Sequence, residues 1–340
     1  MGCEREENQD AYGAASAPQV SFYFVCDGMG GHNGGSTAAN MAVERLSEHL
    51  AKGDTSPDEA IETALMVANN AIFQEAKRRP HLYGMGTTAV VLGFDHETGR
   101  AHIGHVGDSR AYLLRGSTYV RLTRDHTLVQ RLVDEGFITA EAAENHPNSN
   151  VISRSLGGRD AVDVEFLVEP ITLAEGDVFL LCSDGLSGLV DEARVAEELL
   201  RAEPEAATAT LIELARAAGG HDNITVVVAR WGEAQSEPGD LRVVHIGRDQ
   251  TLTQALEAPP AGAAPGEGPP QETGSGDTAT LDTTGLDTSS GLTPPGASVA
   301  ESEPLPPASG QSRAGVAGLI GMVAFLVALV AAVLWLLLKP

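Results

Sequence analysis

The sequence is poor in cysteine, lysine and aromatic residues, and these shortages exclude several classes of protein. The few lysines lie outside any glycine-rich loop, which excludes a P-loop nucleotidase or kinase. The cysteines show no paired spacing, so they are interpreted as reduced packing residues and not as a disulfide framework. The lysines are Lys52, Lys77 and Lys339, and the cysteines are Cys3, Cys26 and Cys182.

Positive charge is also scarce, with 22 Lys and Arg against 47 Asp and Glu and a formal net charge of −25. A phosphate-rich polymer would be repelled, so no nucleic-acid partner is expected. Most such acids form an ordinary solvated surface, and the alternative is that some gather around bound cations. Residues 1–10 lack the apolar core of a signal peptide, which predicts that the folded part stays in the cytoplasm.

Composition divides the 340 residues into three segments. Residues 1–231 carry regular short apolar runs and are predicted to fold. Residues 232–313 are rich in Pro, Gly, Ser, Thr and acids, which predicts a disordered linker. Residues 314–338 contain no charge and are long enough for one transmembrane helix, since about 20 apolar residues cross a bilayer. We therefore expect a single-pass C-terminal anchor, whose orientation the flanking Arg313 and Lys339 do not decide.

Apolar and β-branched runs alternate with segments rich in Ala, Leu and Glu in the folded part. The runs predict strands at 20–26, 87–94, 101–106, 111–114, 177–182 and 224–229. The other segments predict helices at 36–50, 57–77, 128–135, 193–201 and 205–218, with Ser56 and Pro57 as a helix start. Because strands follow strands and helices come in pairs, the pattern favours an α+β layered sandwich over a parallel βαβ sheet.

Carboxylates recur where the predicted strands end. Two strongly apolar runs lead directly into Asp27-Gly28 and Asp184-Gly185. Each pair alone is most simply a structural turn. Several such acids together would instead supply the oxygen ligands that Mg²⁺ or Mn²⁺ requires, and a neighbouring glycine lets a backbone carbonyl approach the ion.

Seven short motifs, in their order and spacing, resemble the metal-dependent protein phosphatase family, also called the protein phosphatase 2C family. They lie at residues 5–10, 26–32, 84–88, 107–110, 155–157, 182–186 and 221–223. The resemblance spans nearly all of residues 1–231. It implies a four-layer αββα sandwich, in which two antiparallel sheets are flanked by helix pairs and a metal centre lies at one end.

The resemblance also implies roles for individual residues. Asp27 matches the carboxylate that bridges two metals, and Gly28 offers its carbonyl oxygen. Asp184 and Asp222 match the family's other ligands on one metal. Asp10 matches an acid that contacts the metal through a water molecule. The remaining matches are Asp108 for a third, weaker metal of the bacterial members and Arg5 for substrate phosphate.

Paired Mn²⁺ or Mg²⁺ ions would lower the pKa of a shared water, which then attacks phosphorus while Arg5 offsets the charge on the phosphoryl oxygens. Met29 occupies the position where eukaryotic members carry a histidine proposed as the general acid. His32 is close in sequence and could serve instead, although a histidine in a glycine-rich turn more often has a structural role. Only four residues precede Arg5 in the sequence, whereas members of the family have a β-strand before this arginine.

Rival chemistries fail on particular residues. Cysteine phosphatases need Cys-x5-Arg, but His32 and Gly188 follow Cys26 and Cys182 at that distance. Calcineurin-like phosphatases need Gly-Asp-x-His-Gly, which the sequence after Gly107 lacks. The remaining alternative is an inactive relative that binds phosphoproteins as a membrane adaptor.

The resemblance thus implies a serine/threonine phosphatase of bacterial type with two or three metal ions. Its expected partners are Ser/Thr-phosphorylated proteins, including a serine/threonine kinase and its substrates. Its expected location is the cytoplasmic face of the bacterial inner membrane.

Overall fold

The computed structural model describes residues 7–233, 242–245 and 250–257, all within one compact unit, Met1–Gly268. The strands are β1 (Asp10–Ser16), β2 (Val20–Met29), β3 (Gly86–Thr87), β4 (Ala89–Asp95), β5 (Arg100–Val106), β6 (Arg110–Arg115), β7 (Thr118–Arg121), β8 (Glu165–Phe166), β9 (Ile171–Thr172), β10 (Val178–Cys182), β11 (Val226–Arg230) and β12 (Arg242–His245). The helices are α1 (Gly31–Leu50), α2 (Pro57–Arg78), α3 (Leu128–Asp134), α4 (Ala140–Glu144), α5 (Asp184–Ser187), α6 (Glu192–Arg201), α7 (Pro204–Ala217) and α8 (Leu252–Glu257). A 3₁₀ turn spans Pro80–Leu82.

The helix start predicted at Ser56 and Pro57 is confirmed at α2. Ser56 and Glu59 form a reciprocal capping box, and Pro57 occupies the first turn, where its missing N–H costs no hydrogen bond. Ile61, Leu65 and other apolar residues of α2 recur at helical spacing on its buried face. The local sequence and the packing therefore specify the same helix.

Two sheets form the centre of the fold. The first has the order β1-β2-β4-β5-β8, with β3 paired to β2 and β9 to β5, and the second has the order β11-β10-β6-β7-β12. Alternate residues of the central strands enter different apolar cores. In β10, Leu180 packs towards α6 and α7, whereas Phe179 and Leu181 pack between the two sheets. The near-continuous apolar runs in the sequence follow from this burial on both faces.

Three apolar cores order the layers. One lies between α1, α2 and the first sheet, one between the two sheets, and one between the second sheet and α6 and α7. This is an α+β sandwich of sheets with flanking helices, as predicted. Cys26 and Cys182 are buried free thiols, which agrees with their interpretation as packing residues.

Two parts of the prediction need correction. Segments 242–245 and 250–257 lie in the predicted linker, yet they form β12 and α8, and Leu252 enters the core between the sheets. The second sheet is also mixed, because β12 pairs with β7 in the parallel sense. A strand that returns after a long connection is free to run parallel, whereas a tight hairpin enforces antiparallel pairing.

Within the described residues, no helix combines the length and apolar character needed to cross a membrane. The transmembrane helix predicted over residues 314–338 lies outside those residues.

Candidate metal centre

Strand pairing places the first two carboxylates side by side. Asp10 begins β1 and is the register partner of Asp27 near the end of β2. Thr88 fixes the backbone of Asp27 from the other side, since its N–H donates to Asp27 O at 2.8 Å and its Oγ1 accepts from Asp27 N at 3.0 Å. The register of the first sheet thus determines where both carboxylates lie.

The second sheet brings Asp184 to the same place. Asp184 follows β10 as the first residue of α5, and it lies close enough to Asp27 for its charge to raise the pKa of that residue. The preceding residue, Ser183, donates its Oγ proton to Asp10 Oδ2 at 2.7 Å and accepts from Thr225 N at 3.1 Å. Ser183 therefore couples β10 and the start of β11 to the acid on β1.

Asp222 and Asn223 complete this side of the cluster. The charge of Asp222 acts on Asp10, and its Oδ1 accepts from the N–H of Asn223 at 2.7 Å. The Asn223 side chain accepts from Gln9 N at 2.7 Å and donates to Glu7 O at 3.2 Å. Asn223 thus ties the segment before β1 to the segment before β11, a positioning role that sequence analysis did not assign to it.

Asp108 approaches from the loop between β5 and β6. It follows Gly107, whose φ of 105° lies in the left-handed region, and it is 7% exposed. Its Oδ1 is buried and has no hydrogen-bond partner among the described residues. A buried carboxylate oxygen without a donor is unfavourable unless a cation or a proton satisfies it.

The electrostatics of the cluster support a cation. Burial, followed by the charges of Asp10, Asp184 and Asp108, raises the pKa of Asp27 well above its usual value. Burial raises the pKa of Asp10 to about 6, and burial with the charge of Asp184 raises that of Asp108 to about 7. Gathered acids with raised pKa values are unfavourable as anions alone, and a divalent cation reverses that effect.

Two glycines allow the backbone to close around these acids. An added Cβ would lie 2.1 Å from Gly35 O at Gly28 and 2.0 Å from Asn223 O at Gly185. No side chain fits at such distances, so both positions require glycine. Three features therefore fit a hard divalent cation that is bound through oxygen ligands. They are the Oδ1 of Asp108 that is unpartnered in the described part of the chain, the close grouping of the acids, and the close approach of the backbone at Gly28 and Gly185.

The predicted site residues are therefore largely brought together. Asp10, Asp27, Gly28, Asp108, Asp184 and Asp222 converge at one end of the two sheets, as the contacts above record. Arg5 lies outside the described residues, as does the side chain of His32, although the His32 backbone belongs to α1. Their proposed parts in phosphate binding and proton transfer stay predictions.

Comparison with known proteins agrees with this geometry. The family model described as protein phosphatase 2C matches residues 4–219. Serine/threonine protein phosphatase PstP of Mycobacterium tuberculosis is 39% identical over 234 residues, which cover 67% of this chain and 43% of PstP. Protein phosphatase PhpP of Streptococcus pneumoniae is 36% identical over 245 residues, which cover 70% of this chain and 97% of PhpP.

Solved structures show the same likeness. The crystal structure of Mycobacterium tuberculosis PstP has a TM-score of 0.62 at 37% identity, covering 68% of this chain and 95% of that one. A structure of the PstP catalytic domain in complex with two manganese ions has a TM-score of 0.59 at 36% identity, with coverage of 68% and 95%.

The fold and the acidic centre resemble those of the class to which these relatives belong, the serine/threonine protein phosphatases. Within that class, the chain belongs to the protein phosphatase 2C family, in agreement with the resemblance drawn from its motifs. The chain spans less than half the length of the PstP relatives it matches.

Proposed function

We propose that the chain is a protein serine/threonine phosphatase that hydrolyses phosphoserine and phosphothreonine at a centre of two or three Mn²⁺ or Mg²⁺ ions. The observation that carries the proposal is the convergence of Asp10, Asp27, Asp108 and Asp184, whose burial and mutual repulsion call for bound cations. Its relatives include serine/threonine phosphatases, and one of their structures holds two manganese ions.

Each acidic residue would have a different role in binding the ions. Asp27 lies between Asp10 and Asp184 in the network of charges, which suits a ligand shared by two ions. Asp184 and Asp222 would complete one ion's ligands, with Gly28 offering its carbonyl oxygen. Asp10, hydrogen-bonded to Ser183, would act through a bound water. Asp108, with its unpartnered oxygen, would hold a third ion.

When bound, such ions supply a water that is nucleophilic at neutral pH and neutralise charge on the phosphoryl oxygens. The chain itself fixes the relative positions of the acids through strand register and the hydrogen bonds of Thr88, Ser183 and Asn223. This preorganisation avoids rearrangement of the site during the reaction. Arg5 would bind the substrate phosphate through two parallel hydrogen bonds, and His32 would serve as the general acid.

A test compares the full-length chain with two Asp→Asn variants on a phosphothreonine peptide. We expect turnover with Mn²⁺, loss in EDTA, and recovery when Mn²⁺ is restored. Asp27→Asn should lower kcat/KM by about 100-fold or more, because it removes a charge that holds the cations. The matched control is Asp191→Asn at the N-cap of α6, where Asn caps as well as Asp, so activity should be unchanged.

Turnover that persists in EDTA would refute the metal-dependent mechanism. An inactive chain that binds the phosphopeptide tightly would instead favour the adaptor function.

We further propose that residues 314–338 anchor this phosphatase to the bacterial inner membrane, with the folded part in the cytoplasm. The uncharged run in the sequence supports the proposal, since its length suffices to cross a bilayer. Phosphorylated proteins near that membrane, including a serine/threonine kinase and its substrates, would then be favoured by local concentration.

Membrane fractionation of the full chain and of a chain ending at residue 313 tests this proposal. The full chain should sediment with membranes, and the shortened chain should stay in the supernatant. The same distribution for both would refute the anchor.

A further inference from the structure

A group outside the acidic centre at first resembles a second metal site. It consists of His105 on β5, His126 just before α3, and Glu165 on β8, and their ligating atoms all lie within 4.8 Å of one another. Two imidazoles and a carboxylate at this spacing are a common set of zinc ligands. Whether a cation fits depends on where the ring protons lie.

The hydrogen bonds of His126 argue against a cation. Its Nδ1 lies 3.1 Å from the backbone N of Gly107, and a backbone N–H can only donate, so Nδ1 is the acceptor. The ring proton of neutral His126 therefore lies on Nε2, which faces Glu165 Oε2 at 3.1 Å. Neither ring nitrogen keeps a lone pair for a metal ion.

The side chains around His126 and Glu165 already carry charge or form hydrogen bonds. Arg154 Nη1 lies 3.5 Å from Glu165 Oε2, so the guanidinium already supplies a positive charge beside this carboxylate. Its 3.3 Å approach to His126 Nε2 brings two donors together and is not a hydrogen bond. His105 Nε2 lies 2.9 Å from Arg124 O, to which it donates, and its ring stacks on that of His126. Burial lowers the pKa of His105 to about 4, which keeps this ring neutral.

His126 instead forms two hydrogen bonds with Gly107. Besides the ring contact, the backbone N of His126 donates to Gly107 O at 3.0 Å. Gly107 has a left-handed φ of 105°, and an added Cβ would lie 2.6 Å from the Thr88 side chain, so the turn is tightly confined. The next residue is Asp108, whose direction is set by this turn.

His126 also joins both ends of the α3–α4 insert, defined here as residues 127–153. The insert begins at Thr127, which forms a β-bridge with Ile152, and it ends at Ser153, whose N–H donates to His126 O at 2.7 Å. One residue thus contacts the base of the insert, the β8 strand through Glu165, and the turn that carries Asp108.

We propose that His126 is a positioning residue, which holds the Gly107–Asp108 turn against the base of the α3–α4 insert. Glu165 orients the neutral His126 ring, and the turn is thereby kept in the geometry in which Asp108 binds a cation. The inference rests on the proposed function, because it assumes that Asp108 binds a cation. Residues that orient ligands in this way commonly change metal affinity by about 10- to 100-fold when they are replaced.

Two substitutions separate the role of Nδ1 from the role of the ring volume. In His126→Asn the amide oxygen occupies about the place of Nδ1 and continues to accept from Gly107 N. In His126→Gln the amide lies near the place of Nε2, and Gly107 N loses its acceptor. The measurements are Mn²⁺ binding to the full-length chain by calorimetry and the Mn²⁺ concentration for half-maximal phosphopeptide turnover.

We expect His126→Gln to weaken the lower-affinity Mn²⁺ site and to raise the half-activating concentration by about tenfold. His126→Asn should stay within about threefold of the unchanged chain. Glu165→Ala, which leaves Nε2 without its oxygen, should shift both quantities in the same direction as His126→Gln. It keeps the test decisive if His126→Gln fails to fold.

Equal behaviour of the Asn and Gln variants would overturn the proposal, as would a Glu165→Ala variant that binds Mn²⁺ normally. Calorimetry distinguishes this failure from failure of the proposed function. A chain that hydrolyses phosphopeptide while His126→Gln binds Mn²⁺ normally refutes the positioning role alone. A chain without turnover, in which His126→Gln still weakens Mn²⁺ binding, refutes the phosphatase proposal alone.

Discussion

Replacing Asp108 by Asn should stabilise the chain when metal is absent, although the residue belongs to the proposed metal centre. The substitution keeps the shape of the side chain and removes its charge. Asp108 is buried, its Oδ1 has no hydrogen-bond partner among the described residues, and its charge is repelled by Asp184. The ionised group therefore opposes folding until a cation compensates it.

The size of the effect follows from the pKa of Asp108, which burial and the neighbouring charge raise from 3.8 to about 7. For an acid whose pKa is raised in the folded state, the stability present below the unfolded pKa is lost as the pH rises through the folded pKa. At about 1.4 kcal/mol per pKa unit, the loss reaches about 4 kcal/mol at pH 8 and only about 1.5 kcal/mol at pH 5.

Urea unfolding of the full-length chain in EDTA measures this difference. Asp108→Asn should raise the free energy of unfolding at pH 8 by up to about 4 kcal/mol, and the gain should shrink towards pH 5. In Mn²⁺ the difference in the free energy of unfolding between the two chains should become smaller or change sign. The reason is that the unchanged chain is stabilised by Mn²⁺ binding that the variant lacks.

Asp125→Asn provides the opposite control. The Asp125 side chain is only 11% exposed, but Arg110 and Arg121 hold its pKa well below the usual value despite that partial burial. Its stabilising effect is present at neutral pH and is lost as the pH falls, so Asp125→Asn should destabilise the chain with or without metal. Should Asp108→Asn destabilise the metal-free chain at pH 8 as Asp125→Asn does, the argument for an uncompensated acidic cluster would be refuted.

Three further substitutions test the packing around the site and the fold. Gly185→Ala places a Cβ 2.0 Å from Asn223 O, so calorimetry should show Mn²⁺ affinity at least about tenfold lower; unchanged affinity would contradict the close approach. Asp177→Ala removes the fully buried partner of Arg115 and should cost about 2–4 kcal/mol in urea unfolding, and a cost below about 0.5 kcal/mol would show that the pair contributes little. Leu252→Ala should cost about 2 kcal/mol if α8 packs on the core in solution, whereas no change would place α8 off the core.

The sequence predicted those elements whose pattern directly reflects burial. The central strands β2, β4 and β10 are apolar on both faces, and α2 carries both a cap and a buried stripe, so their signals are strong. Strand β1 was not predicted, because its sequence DAYGAAS has no β-branched residue. Pairing with β2 forms that strand, and such pairing is a tertiary effect that local propensity does not record.

The C-terminal elements show a second limit. Residues 232–313 taken together have the composition of a linker, and that average conceals the short apolar runs of β12 and α8. Composition predicts whether a long segment can bury a core of its own. It does not predict that Val244 and Leu252 pack on a core that already exists. The parallel pairing of β12 with β7 was likewise beyond any local signal.

At the candidate centre, sequence analysis found the acids but not the groups that hold them. Asp27 and Asp184 were recognisable because a buried strand leads directly into each. Ser183, Thr88 and Asn223 lie within motifs that the sequence analysis noted, but their positioning roles were not predicted, because those roles depend on partners that are distant in the sequence. The spatial convergence of the acids is a structural observation, whereas the ligand role of each remains a prediction.

The acidic centre and the β4–β5 hairpin lie at opposite ends of the first sheet, which gives the two ends different tolerance to engineering. Asp27 and Thr88 mark one end of the β2–β4 pair, and Val20 pairs with Asp95 at the other, next to the exposed turn at 96–98. An extra residue within β1 would shift its pairing and turn its side chains to the opposite face. A fluorescent or affinity domain grafted into the turn at 96–98 would leave that pairing intact, which makes the turn the natural attachment point for a reporter.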